Sequence, residues 1–316
     1  MRPLWKDVLI AIWLGMIMPG ILIHIVTAKE KYQETLQTPP LQTESVSNSV
    51  PLITVQSMDG KQIETDIHTY LTGVLLAEMP AVFHSEALKA QAVAAGTYTW
   101  KAVTTGGKHG DGSVCMNAGC CQAYINPAEY ESLGGTSQNL QKVREAVEAT
   151  SGFVLAYDGE LIEATYFSSS GGSTEAAVAV WGTDYPYLQA VSSPEAVREE
   201  TVRFSRTDFL NRLGISETDK REDLFGSVTQ TEGGGVAYLE ISGETITGVQ
   251  MRSILGLRST AFQIHPEGNF ITITTKGYGH RVGMSQYGAN AMAESGSTWQ
   301  EILQHYYPGT TLYPAY

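Results

Sequence analysis

Residues 8 to 28 form the segment that most constrains how this chain can fold. They read VLIAIWLGMIMPGILIHIVTA, 21 residues without Asp, Glu, Lys or Arg. About 20 apolar residues in a helix cross the hydrocarbon core of a bilayer. A cleaved signal peptide would have a shorter apolar stretch and a small-x-small cleavage site, and Thr27-Ala28-Lys29 is a poor one. We therefore predict an uncleaved transmembrane helix.

The charges around this run predict its orientation and the order of the remaining segments. Arg2 and Lys6 precede the run, which places the short N-terminus in the cytoplasm by the positive-inside rule. Residues 1–28 are then a cytoplasmic stub and anchor of a single-pass cell-membrane protein. Residues 29–50 are rich in Gln, Thr, Ser and Pro, which is typical of a flexible linker. Residues 51–316 are predicted to form one extracytoplasmic domain.

The balance of charge excludes one class of partner. The chain has 20 Lys and Arg against 33 Asp and Glu, a formal net charge of −13. Proteins that bind nucleic acid normally cluster Lys and Arg, so nucleic acid is not an expected partner. Apolar residues make up 42% of the sequence, which excludes a disordered chain.

The pattern of residues after position 50 predicts the α+β class. Helices and strands follow one another without a regular strand-helix-strand alternation, so a doubly wound parallel sheet is not favoured. A hairpin with an Asp59-Gly60 turn comes first. The predicted helices cover 67–79, 85–103 with Ser85 as N-cap, 138–150, 207–213 and 298–306. The predicted strands cover 153–157, 161–167, 237–241 and 270–275.

Glu78 continues an apolar stripe on the first of these helices. Leu71, Val74 and Leu75 form that stripe, and Glu78 lies seven residues after Leu71 on the same face. A carboxylate at this position is either buried away from water or lies at the edge of a cleft at the end of the helix. Loss of water raises its pKa, and a protonated Glu is what a general acid requires. The alternative is a frayed last turn before Pro80, with the side chain in solvent.

A loop with sequence KHGDGSVCMNAGCCQ carries evenly spaced metal-binding residue types. His109, Cys115 and Cys121 follow one another at intervals of six. Imidazole and thiolate groups are the ligands that zinc prefers. The spacing alone leaves three alternatives open, namely a zinc site, a disulfide of Cys115 with Cys120 or Cys121, and free thiols. In the zinc arrangement Cys120 is predicted to be spare, with Asp111 or a water completing the shell.

Four stretches of the chain carry a resemblance to a known family. They are YLTGVLLAEMPAVFHSEALKAQAVAAGTYTW (70–100), YFSSSGGSTEAAVAVWGTDYPYLQAV (166–191), VQMRSILGLRSTAFQI (249–264) and GYGHRVGMSQYGANAMAESGSTWQEILQHYYPGTTL (277–312). Together they resemble the SpoIID family of spore-forming bacteria, which also includes amidase modifiers of the LytB type. The resemblance implies a single elaborated domain with a substrate cleft.

The resemblance also implies an activity, a metal and partners. The activity is that of a membrane-anchored lytic transglycosylase acting in sporulation and engulfment, with peptide-stripped peptidoglycan glycan strands as substrate and Glu78 as the catalytic acid. Clostridial members hold zinc at a His-x5-Cys-x5-Cys arrangement, which favours a structural zinc on His109, Cys115 and Cys121. The partners implied are SpoIIP and SpoIIM.

Further residues are candidate substrate contacts. Ser169 and Ser170 lie in a polar turn after a strand, and the resemblance brings His280 and Gln286 to the cleft. Aromatic rings at Trp181 and Tyr187 are candidates to stack on sugars, although such rings are more often part of a core.

Gly96 departs from the family pattern, which usually has Arg at this position. The position lies 18 residues after Glu78 and is expected to face the cleft. The replacement of the family's Arg by Gly96 favours an alternative function, that of a non-catalytic glycan-binding modifier of a cell-wall amidase.

Overall fold

The computed structural model describes residues 50–216 and 224–316. The predicted stub and transmembrane helix, residues 1–28, and the predicted linker up to residue 49 lie outside the described residues. No helix within the described ranges has the length and apolar character needed to span a bilayer.

Eight α-helices are found in the described ranges. In chain order they are α1 (Ile67–Glu78), α2 (Ser85–Thr105), α3 (Ser137–Ala149), α4 (Ala177–Trp181), α5 (Arg206–Leu213), α6 (Gly248–Leu255), α7 (Gln286–Glu294) and α8 (Trp299–Tyr306). A single 3-10 turn, Gly107–His109, follows α2. Side chains cap most of these helices, as where Asp66 accepts a hydrogen bond from the Thr69 N–H at the start of α1.

The strands of the same ranges are short. They are β1 (Leu52–Gln56), β2 (Gln62–Asp66), β3 (Val114–Cys115), β4 (Phe153–Tyr157), β5 (Glu160–Leu161), β6 (Tyr166–Phe167), β7 (Glu199–Ser205), β8 (Phe225–Gln230), β9 (Val236–Ile241), β10 (Glu244–Thr247), β11 (Phe262–Glu267), β12 (Phe270–Lys276), β13 (Met284–Ser285) and β14 (Thr311–Pro314). They form small sheets in the orders β2-β1-β3, β14-β4-β5, β13-β6, β11-β12-β7 and β10-β9-β8. The predicted α+β class is confirmed.

Helix α2 is the centre around which the N-terminal and C-terminal helices pack. It contacts α1, α3, α7 and α8 as well as strand β4. One of its faces joins the core of α1 and the β1-β2 hairpin, and Ala90 and Ala94 join a second core with α7 and α8. The small alanine side chains let these helices approach closely. A third core lies between α5, α6 and the sheets formed by β7–β12.

Two predicted details of the elements are wrong. Ser85 is the first residue of α2, and its N-cap is His84, whose backbone is extended and whose Nδ1 accepts from the Glu86 N–H at 3.3 Å. The stretch 161–167 is two strands, because β5 pairs with β4 while β6 pairs with β13. The apolar pattern of the stretch does not reveal this change of partner.

Candidate active site

A cleft of about 960 Å³ opens at the C-terminal end of α1. Its walls come from segments far apart in sequence, namely the end of α1, the loop before residue 123, the strand end at 164–168, and residues 278–287. The polar and aromatic side chains that line it are Glu78, Tyr98, Lys108, Cys120, Cys121, Gln122, Thr165, Tyr166, Phe167, Ser168, Trp181, Arg252, Tyr278, His280, Gln286 and Tyr287. Glu78 is the one carboxylate among the described residues that line it.

Glu78 is the last residue of α1 and is half-buried. The apolar stripe before it is confirmed, since Leu71, Val74 and Leu75 are all buried. Burial raises the pKa of the Glu78 carboxyl above its ordinary value, and a hydrogen bond from the Ala123 N–H to Oε1, 2.7 Å long, opposes that effect without cancelling it. The side chain is therefore partly desolvated, held at one oxygen and directed into the cleft.

A chain of hydrogen bonds fixes the floor of the cleft next to Glu78. Thr99 Oγ1 donates to Gln122 Oε1 at 3.0 Å, and Gln122 Nε2 donates to the Tyr166 hydroxyl oxygen at 2.9 Å. Burial and then the charge of Glu78 raise the pKa of Tyr166, so its phenol stays protonated and keeps its own proton to donate. These residues were not singled out in the sequence, since their roles depend on contacts between α2, the loop and β6.

The structure does not bring Ser170 to the cleft, and Ser169 lines only a second cavity that adjoins it. The exposed fractions of Ser169 and Ser170 are 1% and 0%, and the Ser170 hydroxyl donates to Glu195 Oε1 at 2.6 Å. Ser168, one residue before Ser169, lines the cleft instead. The chain leaves β6 after Phe167 and turns, and this turn takes the Ser170 side chain into the interior, where it is bound by Glu195.

His280 and Gln286 both line the cleft, as does Trp181. The His280 ring lies between Phe167 and Trp181, with ring centroids 5.6 and 5.3 Å away, and its Nδ1 accepts from the Val282 N–H at 3.1 Å. Burial and then the charge of Arg252 lower the pKa of His280 to about 4. The ring is therefore neutral at neutral pH. Tyr187, by contrast, is buried in the core.

The predicted metal-binding residues lie together at one side of the cleft. His109, Cys115, Cys120 and Cys121 offer ligand atoms that all lie within 4.8 Å of one another, and the three cysteines are free thiols. His109 Nε2 lies 3.7 Å from the Cys120 sulfur and 3.5 Å from the Cys121 sulfur, and the two sulfurs are 3.9 Å apart. A tetrahedral zinc with Zn–S bonds of about 2.3 Å needs ligand atoms about 3.5–3.8 Å apart, so this cluster fits such an ion.

The cluster corrects the predicted composition of the metal shell. Cys120 is part of it and is not spare. Asp111 is not part of it, because its carboxylate accepts from Ser113 and from Gln62 Nε2 instead. A Cys-Cys pair at the tip of a tight turn can direct both sulfurs to one point, which the six-residue spacing does not reveal.

Gly96 does not line the cleft. It is buried within α2, and a Cβ atom built on it would meet the Leu71 side chain at 3.5 Å. The expectation that this position faces the cleft is corrected, since its Cα–Cβ direction points into the core between α1 and α2.

The cleft continues into a second cavity of about 470 Å³ that shares Ser168, Tyr278 and Tyr287 with it. Two guanidinium groups cover these rings, Arg198 at 3.9 Å from the centroid of Tyr287 and Arg258 at 4.7 Å from that of Tyr278. Aromatic and planar cationic groups of this kind suit the apolar faces of sugar rings. The surface available to a polymer is therefore longer than the main cleft.

Comparison with known proteins agrees with this arrangement. The family profile described as "SpoIID: Stage II sporulation protein" matches residues 59–157. The chain is 37% identical over 291 residues to stage II sporulation protein D of Bacillus subtilis, covering 89% of this chain and 82% of that protein. It is 37% identical over 298 residues to the protein of the same name from Bacillus amyloliquefaciens, with 92% and 83% covered. It is also 32% identical over 302 residues to the amidase enhancer of Bacillus subtilis, covering 77% of this chain and 40% of that protein.

Proposed function

This chain belongs to the SpoIID family of stage II sporulation proteins, and we propose that it is a lytic transglycosylase that cleaves peptidoglycan glycan strands. The bonds cleaved are those from N-acetylmuramic acid (MurNAc) to N-acetylglucosamine (GlcNAc). The observation that carries the proposal is the half-buried carboxyl of Glu78, with its raised pKa, in the cleft. The substrate is proposed to be strands from which the stem peptides have been removed.

The proposed reaction uses Glu78 twice. The protonated carboxyl first donates its proton to the glycosidic oxygen, and the bond between that oxygen and C1 of MurNAc breaks. The resulting carboxylate then accepts the proton of the C6 hydroxyl of the same sugar, whose oxygen forms a bond to C1. The products are a 1,6-anhydro-MurNAc end and a free GlcNAc hydroxyl, and Glu78 is protonated again.

The content of the cleft supports this route over ordinary hydrolysis. Glycosidases normally place a second carboxylate at a set distance from the first, as a nucleophile or to activate water. In the described part of the chain, no carboxylate other than Glu78 lines the main cleft, and Glu199 and Glu200 of the second cavity form ion pairs with Lys276 and Arg258. Internal attack by the C6 hydroxyl needs no second carboxylate.

We propose that the cysteine and histidine cluster holds a structural zinc ion. His109 Nε2 and the sulfurs of Cys115, Cys120 and Cys121 would supply four protein ligands, the closed set found in structural sites. Burial opposes ionisation of Cys115, but hydrogen bonds from the Asn117 N–H and from the cluster lower its pKa to about 7, whereas burial raises the pKa of Cys121 to about 11, so one thiol of this pair ionises readily and the other would need the ion to do so. The ion would stabilise the loop that donates the Ala123 N–H to Glu78.

We further propose that residues 8–28 anchor the protein in the cell membrane with the catalytic domain outside. The uncharged apolar run and the basic residues before it support this placement. SpoIIP and SpoIIM remain partners predicted from the resemblance.

The substitution Glu78→Gln tests the proposed activity. The amide keeps the shape of the side chain but cannot donate a proton as an acid, so anhydro ends should fall by about 100-fold or more. The measurement is mass analysis of strand ends after digestion of purified peptide-free glycan. Glu160→Gln, an exposed carboxylate on β5, is the matched control and should cleave like the wild type. Equal cleavage by Glu78→Gln would contradict the assignment, and reducing ends would indicate a hydrolase.

A second candidate function is that of a non-catalytic modifier of a cell-wall amidase. The similarity to the amidase enhancer favours it. In that case the cleft binds glycan without cutting it. Intact strands after incubation with the wild type, together with saturable glycan binding, would favour this function over the transglycosylase.

A further inference from the structure

Arg252 is a cleft residue whose charge the proposed chemistry does not use. It lies in the last turn of α6, is half-buried, and lines both the main cleft and a smaller cavity of about 380 Å³. A guanidinium stays protonated in proteins and carries five N–H donors. Taking such a group partly out of water is unfavourable unless an anion or acceptors compensate.

No compensating group for the Arg252 side chain is found in residues 50–216 and 224–316. It forms no ion pair or side-chain hydrogen bond there, and the titratable groups coupled to it are the Tyr278 phenol and the His280 ring, neither of which supplies a negative charge at neutral pH. The α6 C-terminal carbonyls attract a cation, but that attraction is fully available to an exposed arginine and does not require burial.

Other cations around the cleft are accounted for by contacts within the protein. Lys108 donates to the Cys120 carbonyl oxygen beside the thiol cluster. Arg258 forms an ion pair with Glu200, and Arg198 stacks on the Tyr287 ring. Arg252 lines the main cleft and, unlike Lys108 and Arg258, has no side-chain hydrogen bond or ion pair within the described residues.

The charge of the cleft contrasts with that of the whole chain. The chain has a net charge of −13, yet the described lining contains two cations, Lys108 and Arg252, and a single carboxyl, Glu78. A locally positive cleft in an acidic protein attracts anionic ligands.

We infer that Arg252 forms an anion subsite of the cleft and binds a carboxylate carried by the glycan substrate. The inference rests on the proposed glycan substrate, and it adds the chemical group of that substrate, a carboxylate, that Arg252 would recognise. Peptide-free strands carry a free lactyl carboxylate on every MurNAc, whereas strands with peptides have an amide there and carboxylates further along the peptide. Arg252 is thus proposed to determine which of these strands the cleft accepts.

Binding to an inactive variant tests the inference without cleavage. We would measure Kd of full-length Glu78→Gln protein for peptide-free GlcNAc–MurNAc oligosaccharides, with lactyl carboxylates either free or converted to amides. Adding Arg252→Gln should weaken binding of the free-carboxylate form by about 10- to 100-fold, the range for a charge-assisted hydrogen bond. It should leave binding of the amidated form unchanged within about twofold. Arg252→Lys keeps the charge but not the planar fork, so an intermediate Kd is expected.

Controls separate this effect from loss of net charge or of fold. Arg144→Gln removes an exposed arginine outside the cleft and should leave both Kd values unchanged. Thermal unfolding of each variant shows whether the fold is retained. Equal weakening for free and amidated sugars, or no weakening for either, would overturn the inference.

A third ligand identifies the source of the carboxylate. This ligand is an oligosaccharide that still carries stem peptides. If it binds through Arg252 at least as tightly as the peptide-free one, the anion belongs to the stem peptide. If it binds more weakly, the anion is the lactyl carboxylate. The proposed activity is tested separately, since a wild-type protein that leaves strands intact but binds them through Arg252 would contradict the activity and support the subsite.

Discussion

At the scale of single residues, the chemistry of this protein depends on where one side chain stands on its helix. Glu78 continues the buried stripe of α1 and occupies its last position, so the carboxyl is half-buried but reaches the cleft. A position one residue earlier or later would point about 100° away around the helix. The preceding residue, Ala77, is half-buried and the following one, Met79, is fully buried, so a carboxyl at position 79 would lose more of its hydration than Glu78 does.

The raised pKa of Glu78 predicts the direction of the pH dependence. The acid is competent while protonated, so turnover should fall as pH rises through its elevated pKa. The free energy of unfolding should change in the same direction. The contribution of Glu78 is full below the pKa of the unfolded chain, about 4.5, and is lost as pH rises through the higher pKa of the folded protein. The measurements are rates of anhydro-end formation and free energies of unfolding from about pH 4 to about pH 9.

The Glu78→Gln variant is the control for the stability part of this prediction. Its amide does not titrate, so the loss of stability with rising pH should be smaller than in the wild type by the contribution of this one group. Turnover that rises steadily with pH would contradict the role of Glu78 as acid.

At the scale of elements, the loop between α2 and α3 connects the histidine and cysteine cluster to Glu78, the proposed acid. Cys115 lies in β3, which pairs with β1, and its carbonyl accepts from the Tyr70 hydroxyl at 3.2 Å. The same loop delivers the Ala123 N–H to Glu78. Apart from β3 and one 3-10 turn, regular structure is scarce in this loop, so its geometry depends on side-chain contacts.

Removal of metal should therefore loosen the loop and lower activity. At free zinc about 1,000 times its Kd, the ion would stabilise the fold by about 4 kcal/mol, so a chelator should lower Tm by several degrees. Cys115→Ser and Cys120→Ser should each reduce bound zinc in elemental analysis of anaerobically purified protein. His265→Gln, an exposed histidine on β11, is the matched control. Protein without zinc and with a disulfide between Cys115 and Cys121 would contradict the metal site.

At the scale of the whole molecule, a buried network joins the cleft wall to the C-terminal sheets. Arg281, with a positive φ of 67° and 1% exposure, donates to Glu175 Oε1 at 3.0 Å and to the carbonyls of Ser170, Ser173 and Gly233, each at 2.7 Å. These contacts satisfy the guanidinium and hold a backbone conformation that is unfavourable for a residue with a side chain. The network thereby fixes residues 170–175 and Gly233 relative to Arg281.

Glu195 belongs to the same region and predicts a loss of stability in acid. Burial alone would raise its pKa, but donors from Ser170, Ser193 and Ser285 outweigh burial and lower the pKa. Stability from Glu195 is then full above the unfolded value of about 4.5 and is lost as pH falls through the folded value. Glu195→Gln should reduce the free energy of unfolding at pH 7 by about 1–3 kcal/mol and flatten its decline below about pH 5.

Chemical denaturation between about pH 3 and about pH 7 measures this effect, with Glu244→Gln on exposed β10 as the matched control. A Glu195→Gln variant that loses stability in acid as steeply as the wild type would contradict the assignment.

Much of the local structure followed from the sequence, because its signals are local. The periodicity of 67–79 and its stop before Pro80 predicted α1 within one residue, and the Asp59-Gly60 turn lies between β1 and β2. The helix cap at His84 was missed because an imidazole acceptor is rare at that position. Strand 161–167 was predicted as one element because apolar character does not show which sheet a residue joins.

The sequence by itself determined the α+β class, from the order of its elements, and the stripe that ends in Glu78, from the spacing along one helix, while the spacing of His109 and the cysteines left a metal site and a disulfide both open. The tertiary structure alone decided that Ser168 and not Ser170 faces the cleft, that Cys120 completes the cluster, and that Gly96 faces Leu71. It also brought Arg252 from α6 to the side of His280. These outcomes depend on which side of a chain meets a distant segment, and that is fixed by packing rather than by periodicity.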